Sequence, residues 1–215
     1  MGRRLAASKE KPKEALYEFI KRNIQNAVLL PGEKVPELPL TEEFHMSRTP
    51  VREVLNKLCE EGLLIKVPHK GFFVRKFSEK ERRDTLEVLA ELDLLCAKKA
   101  MPFLTEQDLR AMEEAVAKID VAIAFLNFSD YTVNQQRFHS IYHQRTNNRV
   151  LADTFAHIVN NSSDINITVE PEECSPEQLN ALKRGNEDHR RLLQAFRERD
   201  EAAVEAIIKS HWKED

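Results

Sequence analysis

The chain has 215 residues, of which 41% are hydrophobic and 32% charged, which suits one large domain or two small ones. Only 5 glycines argue against a turn-rich all-β protein and against the glycine loops of nucleotide-binding folds. Because no apolar run approaches the roughly 18 residues of a membrane span, and no signal peptide is evident, we expect a cytoplasmic protein without a membrane partner. Three distant cysteines, Cys59, Cys96 and Cys174, predict reduced thiols rather than a disulfide framework or a metal site.

Charge is distributed unevenly along the chain. Residues 1–78 hold 15 Lys and Arg against 10 Asp and Glu, whereas residues 79–215 hold 18 against 26. The net charge is therefore +5 in the first third and −8 in the remainder. This asymmetry favours two domains with different partners, with a polyanion as the partner of the basic part. Ordinary variation of surface charge is the alternative.

The first third predicts a small α+β domain. Apolar residues recur at three- and four-residue spacing from Lys13 onward, Ser47 is a good helix N-cap, and Gly62 can end a helix. Two apolar runs around a Pro-His-Lys-Gly turn predict a hairpin. The expected elements are a disordered basic arm, a helix, a short helix, a longer helix and the hairpin, over residues 1–12, 13–28, 40–45, 48–61 and 63–74.

From Ser78 onward the pattern is helical. Capping-box spacing marks three helix starts, near residues 78, 105 and 175, and Asp200 can cap a last helix. We expect six helices, over residues 79–100, 105–126, 130–145, 149–162, 176–199 and 201–213, with a loop over 164–175. The predicted fold class is mainly α, with an α+β domain over 13–77 and an all-α bundle of about six helices over 78–215.

The longer helix of the first domain carries polar residues suited to reading DNA. Arg48 and Arg52 lie four residues apart and so share the face opposite the apolar stripe. An arginine can grip O6 and N7 of guanine, Thr49 can meet a phosphate or a thymine methyl, and Ser47 can bond a phosphate. Helix, tight turn and helix are the layout of a helix-turn-helix. A solvated helix face with two arginines is the alternative.

Four motifs in this domain resemble the winged helix-turn-helix of GntR-family regulators. Leu30-Pro31-Gly32-Glu33-Lys34-Val35 is similar to the family's LxPGExL, and residues 47–55 match SRTPVREAL at all but one position. Residues 61–63 and 71–74 match its EGL and GxxV wing features. The resemblance covers residues 13–77. It implies a double-stranded DNA partner contacted by Ser47, Arg48, Thr49 and Arg52, with His69, Lys70 and Gly71 of the wing near the minor groove.

Two departures from that pattern concern the helix-turn-helix itself. Leu38-Pro39 stand where the family often has a basic residue, which predicts the loss of one DNA contact. The tight turn reads His45-Met46-Ser47 where the family often has Gly-Val-Ser. His45 is therefore expected to adopt a positive φ, at a local cost in free energy.

Three histidines of the helical region could converge. His189 and His211 lie on two helices joined at Asp200, and His139 lies on a third helix. Three imidazoles from three helices make a site typical of Zn or Ni, open to water or a carboxylate. A lone helical histidine is more often simply packed or exposed, so spacing alone leaves both interpretations open.

The same region resembles the FCD domain, the effector domain of the FadR subgroup of GntR regulators. The resemblance rests on Phe138-His139 followed by Asn148, and on the later run from His189 through Asp200 to His211. Family members with the full set bind a divalent metal through an Asp and three His, which implies His139, His189 and His211 as ligands here. Gln135 replaces the Asp and is a weaker, neutral ligand; His143, one turn after His139, could substitute.

The resemblance also implies a small organic acid as effector. Many FCD domains hold the effector carboxylate with an arginine, where this chain has Leu89. Arg137 and Arg145 are not placed in a pocket by periodicity. Asn134 and Tyr142 are candidate polar residues of the effector pocket.

The leading hypothesis is a homodimeric, ligand-responsive repressor that reads a pseudo-palindromic operator with half-sites about one helical turn apart. One alternative is a metalloenzyme, which needs a base or nucleophile beside the metal. No carboxylate is expected there, because Glu187 and Asp188 turn partly away from His189. Another alternative is a DNA-binding protein with a vestigial helical domain, which Gln135 and Leu89 would fit.

Overall fold

The structure is a computed structural model that describes residues 7–25, 28–162 and 174–213. Its internal contacts divide the chain into two compact units. The first unit comprises the chain up to Ser78 together with a short segment that begins at Asn160, and the second unit comprises the rest of the chain from Glu79 onward. Each unit is described by itself. The predicted loop over 164–175 falls almost wholly outside the described residues.

The first unit contains three helices and three short strands. The helices are α1 (Ala7–Gln25), α2 (Glu37–Glu43) and α3 (Arg48–Glu60). The strands are β1 (Lys34–Val35), β2 (Leu64–Val67) and β3 (Gly71–Val74), in the antiparallel order β1-β3-β2. The predicted hairpin of β2 and β3 is confirmed. The strand β1 was missed because two residues are too short to show an alternating pattern.

In the first unit, two helix starts differ from the predicted ones. The disordered arm over 1–12 is wrong for residues 7–12, which are helical, because Ala, Lys and Glu favour helix; residues 1–6 lie outside the described residues. Helix α2 begins at Glu37 rather than at residue 40. Pro36 supplies an extended N-cap, Glu37 places a carboxylate in the first turn, and Pro39 is tolerated there.

The core of the first unit fixes the orientation of α3. Val51, Val54, Leu55 and Leu58 are buried on one side of α3, which leaves the opposite side exposed. They pack with residues of every other element in the unit: Leu16, Ile20, Ile24, Val35, Leu40, Leu63, Leu64, Phe72 and Val74. The buried stripe therefore holds the arginine-bearing face of α3 away from the core.

The described residues of the second unit form six α-helices, as predicted. They are α4 (Glu79–Ala100), α5 (Glu106–Ala124), α6 (Phe128–His143), α7 (Arg149–Asn161), α8 (Pro176–Glu198) and α9 (Glu201–His211). A 3-10 turn, Met101–Phe103, follows α4. The capping boxes of α5 and α8 form as expected, and Asp200 caps α9 by accepting from the Ala203 N–H.

Packing of these helices brings three separate chain segments together. Helix α5 contacts α6 and α8, α9 contacts α8 and α4, and α4 also contacts α6. Helices α4, α6, α8 and α9 therefore share one interior. His139, His189 and His211 lie there. Within the described residues, none of the helices combines the length and apolarity required to cross a bilayer.

Candidate functional site

The start of α3 presents a polar surface. Ser47, Arg48, Thr49 and Arg52 are all exposed. Ser47 is the N-cap residue, as predicted, but its hydroxyl makes no capping hydrogen bond. The first N–H groups of a helix carry partial positive charge and attract anions. This end of α3 therefore combines two cations, two hydroxyls and a helix N-terminus, a set suited to a phosphodiester backbone and base edges.

A groove between α3 and the wing collects further cations. Arg52 lines it together with the three predicted wing residues, His69, Lys70 and Gly71. Lys34 of β1 and Lys66 of β2 also line it, with Glu37 as its acidic member. Sequence reasoning singled out neither Lys34 nor Lys66. The strand that carries Lys34 was not predicted, and Lys66 lies on the predicted hairpin outside its turn. The groove can hold a polyanion.

The turn between α2 and α3 adopts the strained backbone that the sequence predicts. His45 has a φ of 49°, in the left-handed region. Leu38, at the position where the family often has a basic residue, is an exposed hydrophobic side chain on α2. The structure therefore agrees that α2 offers no cation at this point.

The three predicted histidines come together inside the second unit. Atoms of His139 (α6), His189 (α8) and His211 (α9) that can bind a metal lie within 4.8 Å of one another. The Nε2 atoms of His139 and His189 are 3.2 Å apart. The Nδ1 of His211 is buried and makes no hydrogen bond within the described residues, but the carboxylate of Asp188 lies 3.6 Å from it. Three helices thus bring three imidazoles together, two of them buried and that of His211 partly buried.

Hydrogen bonds fix which nitrogen of His189 carries the proton. The amide nitrogen of Asn186 donates to the Val116 carbonyl and to the Asp120 carboxylate, so the Asn186 oxygen faces Nδ1 of His189, 3.4 Å away. The Nδ1 of His189 therefore carries the hydrogen. Its Nε2 presents a lone pair to the cluster.

A buried carboxylate that the sequence did not single out lies behind His139. Asp93 of α4 is completely buried and accepts three hydrogen bonds, from the Tyr142 hydroxyl (2.5 Å), His143 Nε2 (2.7 Å) and Trp212 Nε1 (2.8 Å). The Nδ1 of His139 lies 3.5 Å from Asp93 Oδ2, the oxygen that accepts from Trp212. The expectation that no carboxylate adjoins the histidines is wrong, since Asp188 also lies 3.6 Å from His211 Nδ1.

Burial controls the protonation of this cluster. It lowers the pKa of His139 and lowers that of His189 further, so both rings are neutral near pH 7. Burial alone would raise the pKa of Asp93, but the imidazoles of His139 and His143 hold that pKa well below its usual range. Burial and Asp93 together raise the pKa of Tyr142 well above its usual value. Asp93 is thus a carboxylate and Tyr142 a phenol.

Two family models match this chain. Residues 12–74 match the gntR family of bacterial regulatory proteins, and residues 84–214, more than half of the chain, match the FCD domain. The chain belongs to the gntR family and carries an FCD domain. Members of this family bind DNA and regulate transcription, so the chain is a transcriptional regulator and not an enzyme.

Relatives of this gntR-family regulator cover nearly its whole length. The HTH-type transcriptional repressor RspR of Escherichia coli K12 is 25% identical over 201 residues, 94% of this chain and 86% of RspR. The structure of E. coli McbR/YncC covers 94% of this chain and 93% of its own, with a TM-score of 0.74 and 21% identity. A GntR regulator from Rhodococcus sp. RHA1 covers 93% of both chains, with a TM-score of 0.70 and 16% identity. The solved structures show a shared fold.

The other residues singled out in the FCD domain differ in burial and in hydrogen-bond partners. Gln135 lies half-buried one turn before His139 on α6, and Leu89 is completely buried. The Asn134 amide donates to the Asp130 carbonyl of its own helix. His143 points to Asp93 rather than to His189 and His211. Arg145 pairs with Asp108, and Arg137 lies 3.8 Å from Glu114.

Proposed function

We propose that this gntR-family regulator is a ligand-responsive repressor of the FadR subgroup, and that its helical unit holds a divalent metal ion at His139, His189 and His211. The observation that carries the proposal is the pair of imidazole Nε2 atoms 3.2 Å apart, with the ligand atoms of all three histidines within 4.8 Å of one another. Neutral acceptors that face one another repel unless a proton or a cation lies between them.

The three imidazole nitrogens suit a metal ion of intermediate hardness, such as Zn²⁺ or Ni²⁺. Two nitrogens bound to one tetrahedral Zn²⁺ lie about 3.3 Å apart, close to the separation found here. Neutral imidazoles suit Zn or Ni. A bound ion would supply a Lewis-acidic position for an oxygen of an effector carboxylate. Gln135 adds no charge to this set, so its contribution to metal binding is small.

The N-terminal unit is proposed to read DNA through α3 and the wing. Arg48 and Arg52 contact guanine edges, Thr49 and Ser47 position the helix on the backbone, and the groove cations Lys34, Lys66 and Lys70 contact phosphates. His69 and Gly71 accompany Lys70 at the wing tip. As a homodimer the protein would recognise a pseudo-palindrome with half-sites about one turn apart.

Regulation requires the effector to bind two arrangements of the protein with different affinity. A small organic acid bound beside the metal is proposed to favour the arrangement that releases the operator. Asn134 remains a candidate pocket residue. The hydroxyl of Tyr142 already has two partners, so we assign it to the Asp93 network instead.

A DNA-binding regulator with a non-sensing helical domain is the second candidate. Leu89, completely buried where many FCD domains have an arginine, favours it. The two candidates differ in whether any metabolite changes DNA binding.

Selection of duplexes from a random library with the full-length protein would define the operator. Replacement of both Arg48 and Arg52 by Ala should abolish enrichment of that sequence. Lys70→Ala should weaken binding to all duplexes and lower the number of counterions released on binding by about one. If the Arg48/Arg52 double variant selects the same sequence, α3 is not the reading helix.

A thermal-shift screen of small organic acids, with and without Zn²⁺ or Ni²⁺, tests the sensing function. An acid that raises the melting temperature only with metal, and weakens binding to the selected duplex, supports a metal-dependent sensor. Operator binding that no acid changes supports the non-sensing domain.

A further inference from the structure

Asp93 is an unusual feature of the helical unit, because a fully buried carboxylate needs several donors to remain ionised. Its three donors come from two segments, with Tyr142 and His143 on α6 and Trp212 at the end of α9. All three distances are 2.8 Å or less. Asp93 on α4 is therefore held rigidly at the back of the histidine cluster.

The hydroxyl of Tyr142 links Asp93 to His139. It lies 2.5 Å from Asp93 Oδ1 and 2.6 Å from His139 Nδ1. A phenol has one hydrogen to donate, and a carboxylate can only accept, so that hydrogen lies towards Asp93. The phenol oxygen must then accept from Nδ1 of His139, which consequently carries the ring hydrogen.

The opposite nitrogen of the same ring faces the cluster. With Nδ1 protonated, the neutral ring of His139 has its lone pair on Nε2, the atom that lies 3.2 Å from Nε2 of His189. Histidine ligands of metals characteristically donate their other N–H to a carboxylate or another acceptor, which fixes the tautomer and makes the ligand more basic.

We propose that Asp93 and Tyr142 act as a relay that locks His139 with Nε2 free for a metal, and that Asp93 supplies from α4 the negative charge that Gln135 cannot supply from α6. Both are positioning residues, since neither belongs to the three-histidine set of His139, His189 and His211. This inference rests on the proposed metal site. It explains why a site without the family's Asp retains a buried carboxylate nearby.

The tautomer can be measured without any metal. In the metal-free full-length protein, the ¹⁵N shifts of His139 should show Nδ1 protonated and Nε2 bare, and Tyr142→Phe should shift the hydrogen towards Nε2. A His139 ring protonated at Nε2 in the unmutated protein would overturn the relay. This readout does not depend on whether the protein binds metal, so it separates failure of the relay from failure of the metal site.

Metal affinity provides the second readout. Titration of the metal-free protein with Ni²⁺ by calorimetry should give a Kd at least about tenfold weaker for Tyr142→Phe and for Asp93→Asn. Tyr131→Phe is the matched control, because it removes a hydroxyl from another buried tyrosine of α6. The control should bind Ni²⁺ within about twofold of the unmutated protein, whereas wild-type affinity in Tyr142→Phe would refute the relay.

Discussion

Arg52 and Glu37 form an ion pair across the helix-turn-helix. The Nε of Arg52 lies 2.5 Å from one carboxylate oxygen of Glu37, and its Nη2 lies 3.4 Å from the other. Glu37 therefore occupies the Nε edge of the guanidinium. Because a guanidinium has five N–H groups in a planar fork, the Nη1 and Nη2 end remains available for a base. The ion pair orients Arg52 and leaves open the guanidinium edge that the proposed base contact would use.

Replacement of Glu37 by Gln should reduce the selectivity of DNA binding. Loss of the carboxylate removes a negative charge from the basic groove and releases Arg52 to contact any phosphate. Anisotropy titrations should show tighter binding to an unrelated duplex and no matching gain for the selected duplex, so their affinity ratio falls about fivefold. Glu43→Gln, an equal charge change at an exposed site on α2, controls for charge alone. Equal effects of the two substitutions would contradict the orienting role.

The left-handed conformation of His45 predicts a stabilising substitution. An L-residue in this region costs about 1 kcal/mol, which glycine avoids while losing some of the gain to its flexible unfolded state. His45→Gly should therefore stabilise the first unit by about 0.5 kcal/mol and slow hydrogen exchange of the α3 amides. His45→Ala retains a Cβ and should give no gain. A gain in both variants would show that loss of the imidazole, rather than relief of strain, is responsible.

The carboxylate of Asp108 predicts how stability of the helical unit depends on pH. It caps α5 with Thr105 and accepts two hydrogen bonds from Arg145, at 2.8 and 3.0 Å. Although burial tends to raise the pKa of Asp108, these donors lower it below its usual value. The stabilisation is therefore present above about pH 4 and is lost as the pH falls through the lowered pKa.

Asp108→Asn should lower the free energy of unfolding by about 1 kcal/mol at pH 7, and by less below pH 4. Urea unfolding followed by Trp212 measures this directly, since Trp212 is the only tryptophan and is buried in the same unit. Asp153→Asn breaks an exposed pair with Arg149 and should have no measurable effect. A pH-independent difference for Asp108→Asn would rule out a contribution from the ionised carboxylate.

Local signals explain why most helices were predictable. Thr105 with Asp108, and Ser175 with Gln178, are short-range capping pairs that need only a few neighbouring residues to act. The histidine cluster was predictable only through the family resemblance, since His139 and His189 are 50 residues apart. The family motif carries that long-range information, whereas periodicity does not.

The carboxylate of Asp93 could not be found in the same way. In sequence it is one acid among many on α4, and its role depends on the packing of α4 against α6 and α9. The same is true of Glu37, whose partner Arg52 lies on another helix, and of Lys34 on the two-residue strand β1. Contacts between elements decide these roles, so element-by-element reasoning does not reach them.

Metal stoichiometry tests the central claim most directly. Full-length protein stripped of metal, exposed to Zn²⁺ or Ni²⁺ and freed of excess ion, should retain one ion per chain by native mass spectrometry. The double variant His189→Ala/His211→Ala should retain none while its first unit still binds the selected duplex. Absence of retained metal in the unmutated protein, or one ion per chain in the double variant, would contradict the three-histidine site.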